Sequence, residues 1–308
     1  MRGEHQMKRL TWVAGDRPAD NLDETSRKNL AGGRRKQVNS GGANAPPEDK
    51  YPYPTDALRE ASGTSIFDPV LCELVYRWFC PPGGSVLDPF AGGSVRGIVA
   101  AALGRQYTGI DLSDRQIEAN EKQWEEIHRR IPESSPKPIW IVGDSQTAQL
   151  LAPGDYDLIF SCPPYADLER YSDDQRDLST MDYPAFLESY RSIIASCVGM
   201  LKQDRFACFV VGDVRDAGGM YRKLPWHTIQ AFEDAGVVLY NEAVLVTAVG
   251  SLPIRVGKQF MSGRKLGKTH QNVLVFCNGN PKKATEAIGQ VDISVDVTQL
   301  DHSSLLTS

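Results

Sequence analysis

Residues 161–165 read S-C-P-P-Y. Neither proline can donate to a β-ladder, so the apolar run YDLIFS (156–161) must end as a strand there, with its last polar groups pointing elsewhere. A hydroxyl (Ser161), a thiol (Cys162), a rigid diproline (Pro163, Pro164) and a ring (Tyr165) are thereby gathered on one turn. Upstream, VLDPFAGGSVRGIVAAALG sets a strand, a carboxylate (Asp88), a Gly-Gly turn and a helical pattern in immediate succession. Gly92 and Gly93 let backbone approach a nucleoside closely at a first strand-to-helix turn. The third glycine of a pyrophosphate fingerprint is missing and no Lys-Ser/Thr follows, so neither that fingerprint nor a P-loop fits. A plain glycine turn is the alternative reading.

Asp111 ends the next apolar run, QYTGID, where an acidic residue suits hydrogen bonding to ribose hydroxyls. The competing role, a helix N-cap, is already supplied by Ser113 and Asp114. The third run ends in VGDS, placing Asp144 and Ser145 at the same edge. A carboxylate there either accepts from an adenine amino group or closes a turn.

The elements that must position these residues alternate regularly. SVLDPF (85–90), QYTGID (106–111), PIWIVG (138–143), YDLIFS (156–161), RFACFVV (205–211), VLYNEAVLVT (238–247) and NVLVFC (272–277) are β-branched or aromatic runs. Between several of them lie helical patterns: VRGIVAAALG, RQIEANEKQWEEIHRR, PAFLESYRSIIASCVGML and HTIQAFEDAG. This alternation predicts a doubly wound, Rossmann-like α/β fold with a mostly parallel seven-stranded sheet covered on both faces. Residues 1–50 are polar and lack apolar periodicity, which predicts a mobile arm. The folded domain is expected over 51–280 and a tail over 281–308, with a short strand at VDISVDVTQL as the alternative.

A chain of 308 residues with 41% hydrophobic content has ample material for a core. No apolar run is long enough to span a membrane, and no secretory leader is visible at the start. The six cysteines are scattered without a C-x-x-C pair, which disfavours a zinc knuckle or disulfide framework and suits reduced thiols in the cytoplasm. A net charge of −5 excludes a wholesale basic coat but not a local basic surface.

Taken together, D-P-F-A-G-G, G-I-D-L, G-D-S and S-C-P-P-Y resemble the motif series of S-adenosylmethionine-dependent DNA amino-methyltransferases, which act on adenine N6 or cytosine N4. The resemblance covers about Ser65 to Gly279. It implies a class I methyltransferase fold, S-adenosylmethionine as cofactor, no metal and DNA as partner. Phage-borne orphan enzymes are the nearest likeness, through PPYADLERYSDD and GKTHQNVLVF. The motif order is that of the group whose recognition region follows the catalytic motif. A homodimer and a cognate nuclease encoded elsewhere are both compatible with it.

By the same resemblance, TSIFDPVLCELVYRWF is the helix that closes over the methionine part of the cofactor, bringing Phe67 and Asp68. Asp88, Pro89, Phe90, Ala91, Gly92, Gly93, Asp111, Leu112, Asp144 and Ser145 would complete the cofactor site. The base amine is planar and a weak nucleophile, because its lone pair is delocalised into the ring. A rigid Pro163-Pro164 turn can fix carbonyls that accept the amine hydrogens and favour a pyramidal nitrogen at transfer. Tyr165 offers a ring on which an extruded base stacks. The family has Asp, Asn or Ser directly before Pro-Pro, and this chain has Cys162. Cysteine is nearest to serine, which points to cytosine N4 over adenine N6. A cysteine nucleophile, as in cytosine-C5 methylation, would follow the proline rather than precede it. The alternatives are an RNA or protein-amide methyltransferase with the same catalytic half, or a non-catalytic DNA-binding protein of the same fold.

For the polymer, Ser251 to Gln271 carries Arg255, Lys258, Arg264, Lys265 and Lys268 and no acid, and its glycines suggest a loop able to track phosphate. Recognition elements are expected in 166–185 and 213–271. Arg215 or Arg222 would read a guanine edge, or Arg215 would pair with Asp213.

Overall fold

The computed structural model describes residues 67–165, 172, 174–247 and 252–291. Seven strands form one sheet: β1 (Ser85–Asp88), β2 (Gln106–Asp111), β3 (Ile139–Val142), β4 (Tyr156–Ser161), β5 (Leu201–Val211), β6 (Val238–Val246) and β7 (His270–Asn278). Their spatial order is β3-β2-β1-β4-β5-β7-β6. The first five pair in parallel, while β7 runs antiparallel between β5 and β6. This is a doubly wound, mostly parallel sheet, and every strand coincides with an apolar run predicted from sequence.

Strand residues alternate between two cores, as period-two side chains must. Leu87, Ile110, Ile159, Ala207, Phe209, Leu274 and Phe276 face one core, built with α4 (Ala148–Leu151), α5 (Tyr183–Val198) and α6 (Leu224–Asp234). Val86, Leu158, Phe160, Cys208, Val210 and Val275 face the other, with α1 (Pro69–Phe79), α2 (Val95–Ala102) and α3 (Asp114–Ile127). Phe160 stands edge-on to the rings of Phe67 and Tyr76, at 5.7 and 5.5 Å, so α1 is anchored on the central strand.

Two segments differ from expectation. Residues 252–263 are not a loop but a helix, α7 (Leu252–Gly263). Pro253 is tolerated because it sits in the first turn, and Leu252, Val256 and Phe260 recur every four residues, a helical spacing that the glycines obscured. Residues 252–267 belong to a compact unit separate from the one that contains the sheet. Nor does a tail begin at 281: Pro281–Ile288 forms α8, capped by the Asn280 side chain, with Ala284 and Ile288 buried in the second core. The sheet domain therefore extends beyond the predicted boundary. The arm over 1–50 and the run 292–300 lie outside the described residues. Among those described, no helix is long and apolar enough to cross a membrane.

The amino-terminal edge of the sheet is stitched by Asp157. Its carboxylate takes Lys202 Nζ and Arg205 Nε, each at 2.8 Å, and the Ser85 backbone N–H at 3.0 Å, joining β1, β4 and β5. Burial alone would raise this pKa, but those donors outweigh it and hold it at about 2. A depressed carboxylate stabilises the fold fully above its ordinary value of about 4, and that stability is lost as pH falls towards 2. Asp157→Asn should flatten the acid limb of stability between about pH 4 and pH 2, read by urea denaturation at stepped pH. An unchanged limb would mean that other carboxylates govern acid unfolding.

Candidate active site

The motif residues converge at the carboxyl ends of β1, β2, β3 and β4, the edge where doubly wound sheets bind ligands. At its centre is Asp88, the last residue of β1, fully buried. Its Oδ2 accepts from Arg96 Nε at 2.5 Å and from the Tyr107 hydroxyl at 2.7 Å. Its Oδ1 accepts from the Ser161 hydroxyl at 2.5 Å and the Phe90 N–H at 3.1 Å. These partners come from α2, β2, β4 and the glycine turn, so one carboxylate sets the spacing of the two motif turns.

Arg96 does more than neutralise it. Its second guanidinium nitrogen donates to the carbonyls of Phe90 and Ala91, at 2.6 and 2.9 Å, and the guanidinium lies 4.6 Å from the Phe67 ring centre. Burial alone would lower the Arg96 pKa; the Asp88 charge overrides it and keeps the arginine protonated. A glycine turn is otherwise pliable, and this clamp rigidifies it.

Gly92 has φ +48°, a conformation that favours glycine, and a methyl added at Gly93 would meet nothing within 4 Å, so the turn borders open space. Asp111 spans the same turn, its Oδ2 accepting from Gly92 N–H at 2.8 Å and its Oδ1 from Ser113 N–H at 2.9 Å. Two of roughly four acceptor directions are thus used, which leaves capacity for further donors. From α3, Asn120 donates to the Gly92 carbonyl at 2.8 Å. Phe90 is half-buried against Tyr190, with ring centres 6.1 Å apart, and Leu112 is half-buried beside Asp111.

Several of the expected ligand residues have structural partners of their own. Asp88 and Ser161 are sealed from solvent and bonded to each other, so they position the site instead of touching a ligand. Asp68 is exposed and caps α1, accepting from Val70 and Leu71 N–H. Ser145 donates to the Pro89 carbonyl at 2.6 Å, tying β3's end to the first turn. Asp144 closes its own turn by accepting from Gln146 N–H at 2.9 Å. Arg215 does not pair with Asp213. It lies over the Tyr221 ring at 3.8 Å and donates to the Gly219 carbonyl, while Asp213 accepts from Leu224 N–H.

The S-C-P-P-Y turn follows β4 directly. Pro163 is buried, and Cys162, Pro164 and Tyr165 are partly exposed. The Cys162 sulfur lies 3.6 Å from the Tyr165 hydroxyl. Burial pushes the thiol pKa above its ordinary value, the reverse of what a cysteine nucleophile needs. Of the expected phosphate contacts, Lys258 and Arg264 are exposed and Lys265 and Lys268 half-exposed, while the Arg255 side chain lies outside the described residues. The predicted insert 166–185 is described only in part: Asp174 pairs with Arg176 at 2.6 Å, and residues from Tyr183 belong to α5. Among the described residues no group of three or more His, Cys, Asp or Glu is placed to hold a metal. A concavity lined by Gln106, Thr108, Lys137, Ile139 and Tyr156 lies at the opposite edge of the sheet and contains no motif residue.

Arg96, Tyr107 and Asn120 were not legible as site residues. Arg96 and Asn120 sit on helices whose polar positions look like solvated faces, and Tyr107 reads as core.

Residues 65–122, from just before α1 into α3, match the model of a DNA methylase family, N6_N4_Mtase. Solved structures of similar fold include TrmN from Thermus thermophilus (14% identity, TM-score 0.47, covering 71% of this chain and 52% of that one). Others are a methyltransferase from Pyrococcus furiosus (14%, 0.46, 71% and 87%) and magnesium protoporphyrin IX methyltransferase from Synechocystis PCC 6803 with bound SAM (13%, 0.45, 73% and 91%). The chain thus spans about half the length of TrmN. A search of curated proteins finds no match.

The matched segment contains the glycine turn and Asp111, so the similarity to the methylase model falls on the half of the chain expected to hold S-adenosylmethionine. The residues present suit that cofactor: a glycine turn bordering open space, the Asp111 carboxylate beside it, and the half-buried Phe90 and Leu112.

Two outcomes follow from this geometry. Arg96→Leu leaves the Asp88 carboxylate buried without its partner and should cost about 3–5 kcal/mol of unfolding free energy, measured by urea denaturation. A cost below about 1 kcal/mol would mean that water or another cation reaches Asp88. Burial raises the Asp111 pKa despite its two N–H donors. A ribose hydroxyl donates best to the charged carboxylate, so cofactor affinity should fall as pH drops through a value above the ordinary carboxylate range of about 4. Calorimetry with S-adenosylhomocysteine reads this, and Asp111→Asn should remove the pH dependence.

Proposed function

We propose that this chain methylates the exocyclic amine of a base in DNA. The observation that carries the reading is the S-C-P-P-Y turn at the end of β4, joined through Ser161 and Asp88 to the glycine turn of the cofactor half. The match of that half to a DNA methylase family model supports DNA as the substrate.

When bound, S-adenosylmethionine supplies an electrophilic methyl group. Asp111 and the Gly92–Gly93 turn hold and orient the nucleoside end, and Phe90 packs against it. Backbone carbonyls of the rigid Cys162–Pro163–Pro164 segment accept the amine hydrogens, which turns the nitrogen lone pair outward. Tyr165 stacks on the extruded base and keeps water from the amine. No strong general base is required, since the amine proton can leave after transfer. Cytosine N4 is favoured over adenine N6, because Cys162 stands where the cytosine-N4 enzymes that this chain resembles carry serine, the residue nearest to cysteine. Lys258, Arg264, Lys265 and Lys268 supply positive charge for the phosphate backbone.

Nucleoside mass spectrometry of unmethylated duplex DNA incubated with the protein and S-adenosylmethionine tests the reading. A methyl on cytosine N4 is the expected product, and a methyl on adenine N6 would reverse the choice of base. Transfer to RNA or protein alone would overturn DNA as the substrate. Cys162→Ser should keep activity within about tenfold, whereas a nucleophile lost would cost several orders of magnitude.

A further inference from the structure

We infer that Gln271, near the start of β7, is a positioning residue for the stacking ring of the base site; this rests on the amine-methylation reading above. Gln271 Nε2 donates to the Tyr165 hydroxyl across 106 residues of chain. The same hydroxyl lies 3.6 Å from the Cys162 sulfur. The ring also lies over Gly212, just past the end of β5. A methyl built on Gly212 would stand 3.6 to 3.8 Å from Tyr165 Cζ, Cε2 and Oη, an ordinary contact distance, so the ring borders this position.

Topology explains why a residue so distant in sequence can do this. β7 is antiparallel to β5, with Val211 opposite Asn272, so the first residues of β7 fall at the carboxyl-terminal edge where the parallel strands end. A parallel seventh strand would have delivered its last residues there instead. Gln271 is half-buried and lies three residues after Lys268. The chain that carries the expected phosphate contacts thus runs directly into the strand that holds Tyr165.

Tyrosine can rotate about its Cα–Cβ and Cβ–Cγ bonds, and a stacking platform works only when its plane is fixed before the base arrives. Without Gln271 the hydroxyl keeps the Cys162 thiol, which is a weak donor and a weak acceptor. The amide is a stronger hydrogen-bond partner than the thiol, and its loss loosens the hold on the ring.

The test uses the full chain and four variants: Gln271→Leu, Gln271→Glu, Tyr165→Phe and the Gln271→Leu/Tyr165→Phe double. Methyl transfer to unmethylated duplex DNA, affinity for S-adenosylhomocysteine and thermal unfolding are measured for each. Gln271→Leu should lower kcat on the order of ten- to a hundredfold while cofactor affinity stays unchanged. Gln271→Glu, which accepts from the tyrosine hydroxyl, should recover most of that loss. The double variant should be no slower than the worse single one, because both changes remove one interaction. Multiplicative losses in the double variant, or a fall in cofactor affinity parallel to kcat, would overturn the positioning role. Wild-type protein that transfers no methyl to DNA would defeat the DNA reading alone. The thermal cycle then decides: non-additive shifts at 165 and 271 uphold the anchor, and additive shifts remove it.

Discussion

A carboxylate sealed at the end of a central strand must be satisfied by the protein itself, because an unpaired buried charge is too costly to keep. Asp88 meets that demand with four donors drawn from four places: Arg96 on α2, Tyr107 on β2, Ser161 on β4 and the Phe90 N–H in the glycine turn. The bonds hold only if those elements stand at fixed distances. The ligand-side edge therefore inherits its geometry from a group that no ligand touches. Burial makes the arrangement stiff as well as specific, since water cannot substitute for any one donor.

From that centre, rigidity passes outward in two directions. Arg96 carries it to the Phe90 and Ala91 carbonyls, and Asn120 with Asp111 braces Gly92 from both of its backbone groups. Ser161 carries it along the chain into the diproline, whose rings admit little further rotation. The amine-transfer chemistry proposed for this edge needs acceptors and cofactor turn in a set relation, and both branches start from the same carboxylate. The far edge of the sheet is tied in a parallel fashion, with Asp157 gathering Lys202, Arg205 and Ser85, but its lysine is more exposed and no motif lies near.

The antiparallel placement of β7 beside β5 has a comparable consequence. Parallel strands present only their carboxyl ends to the ligand edge, and β7 reverses this. Its opening residues, Gln271 and Asn272, lie at the same edge as the residues that follow β4 and β5, so late sequence contributes to an early-sequence site.

Sequence by itself determined the strands, most of the helices and the motif turns, because apolar period and glycine or proline punctuation are local properties of the chain. It misread α7, where glycines hid a four-residue apolar repeat, and α8, where a short polar-looking run buries only Ala284 and Ile288. It also assigned Asp88, Ser161 and Ser145 to direct contact, and all three are buried. Residue type and strand position cannot say whether a carboxylate or hydroxyl is sealed behind its own partners. Arg96, Asn120 and Gln271 stayed invisible for the same reason, since each acts through a hydrogen bond to a residue 8 to 106 positions away. Local pattern decides which elements form. Only their packing decides which polar groups find each other and which are left facing the ligand, because a hydrogen bond depends on distances that the folded chain alone creates.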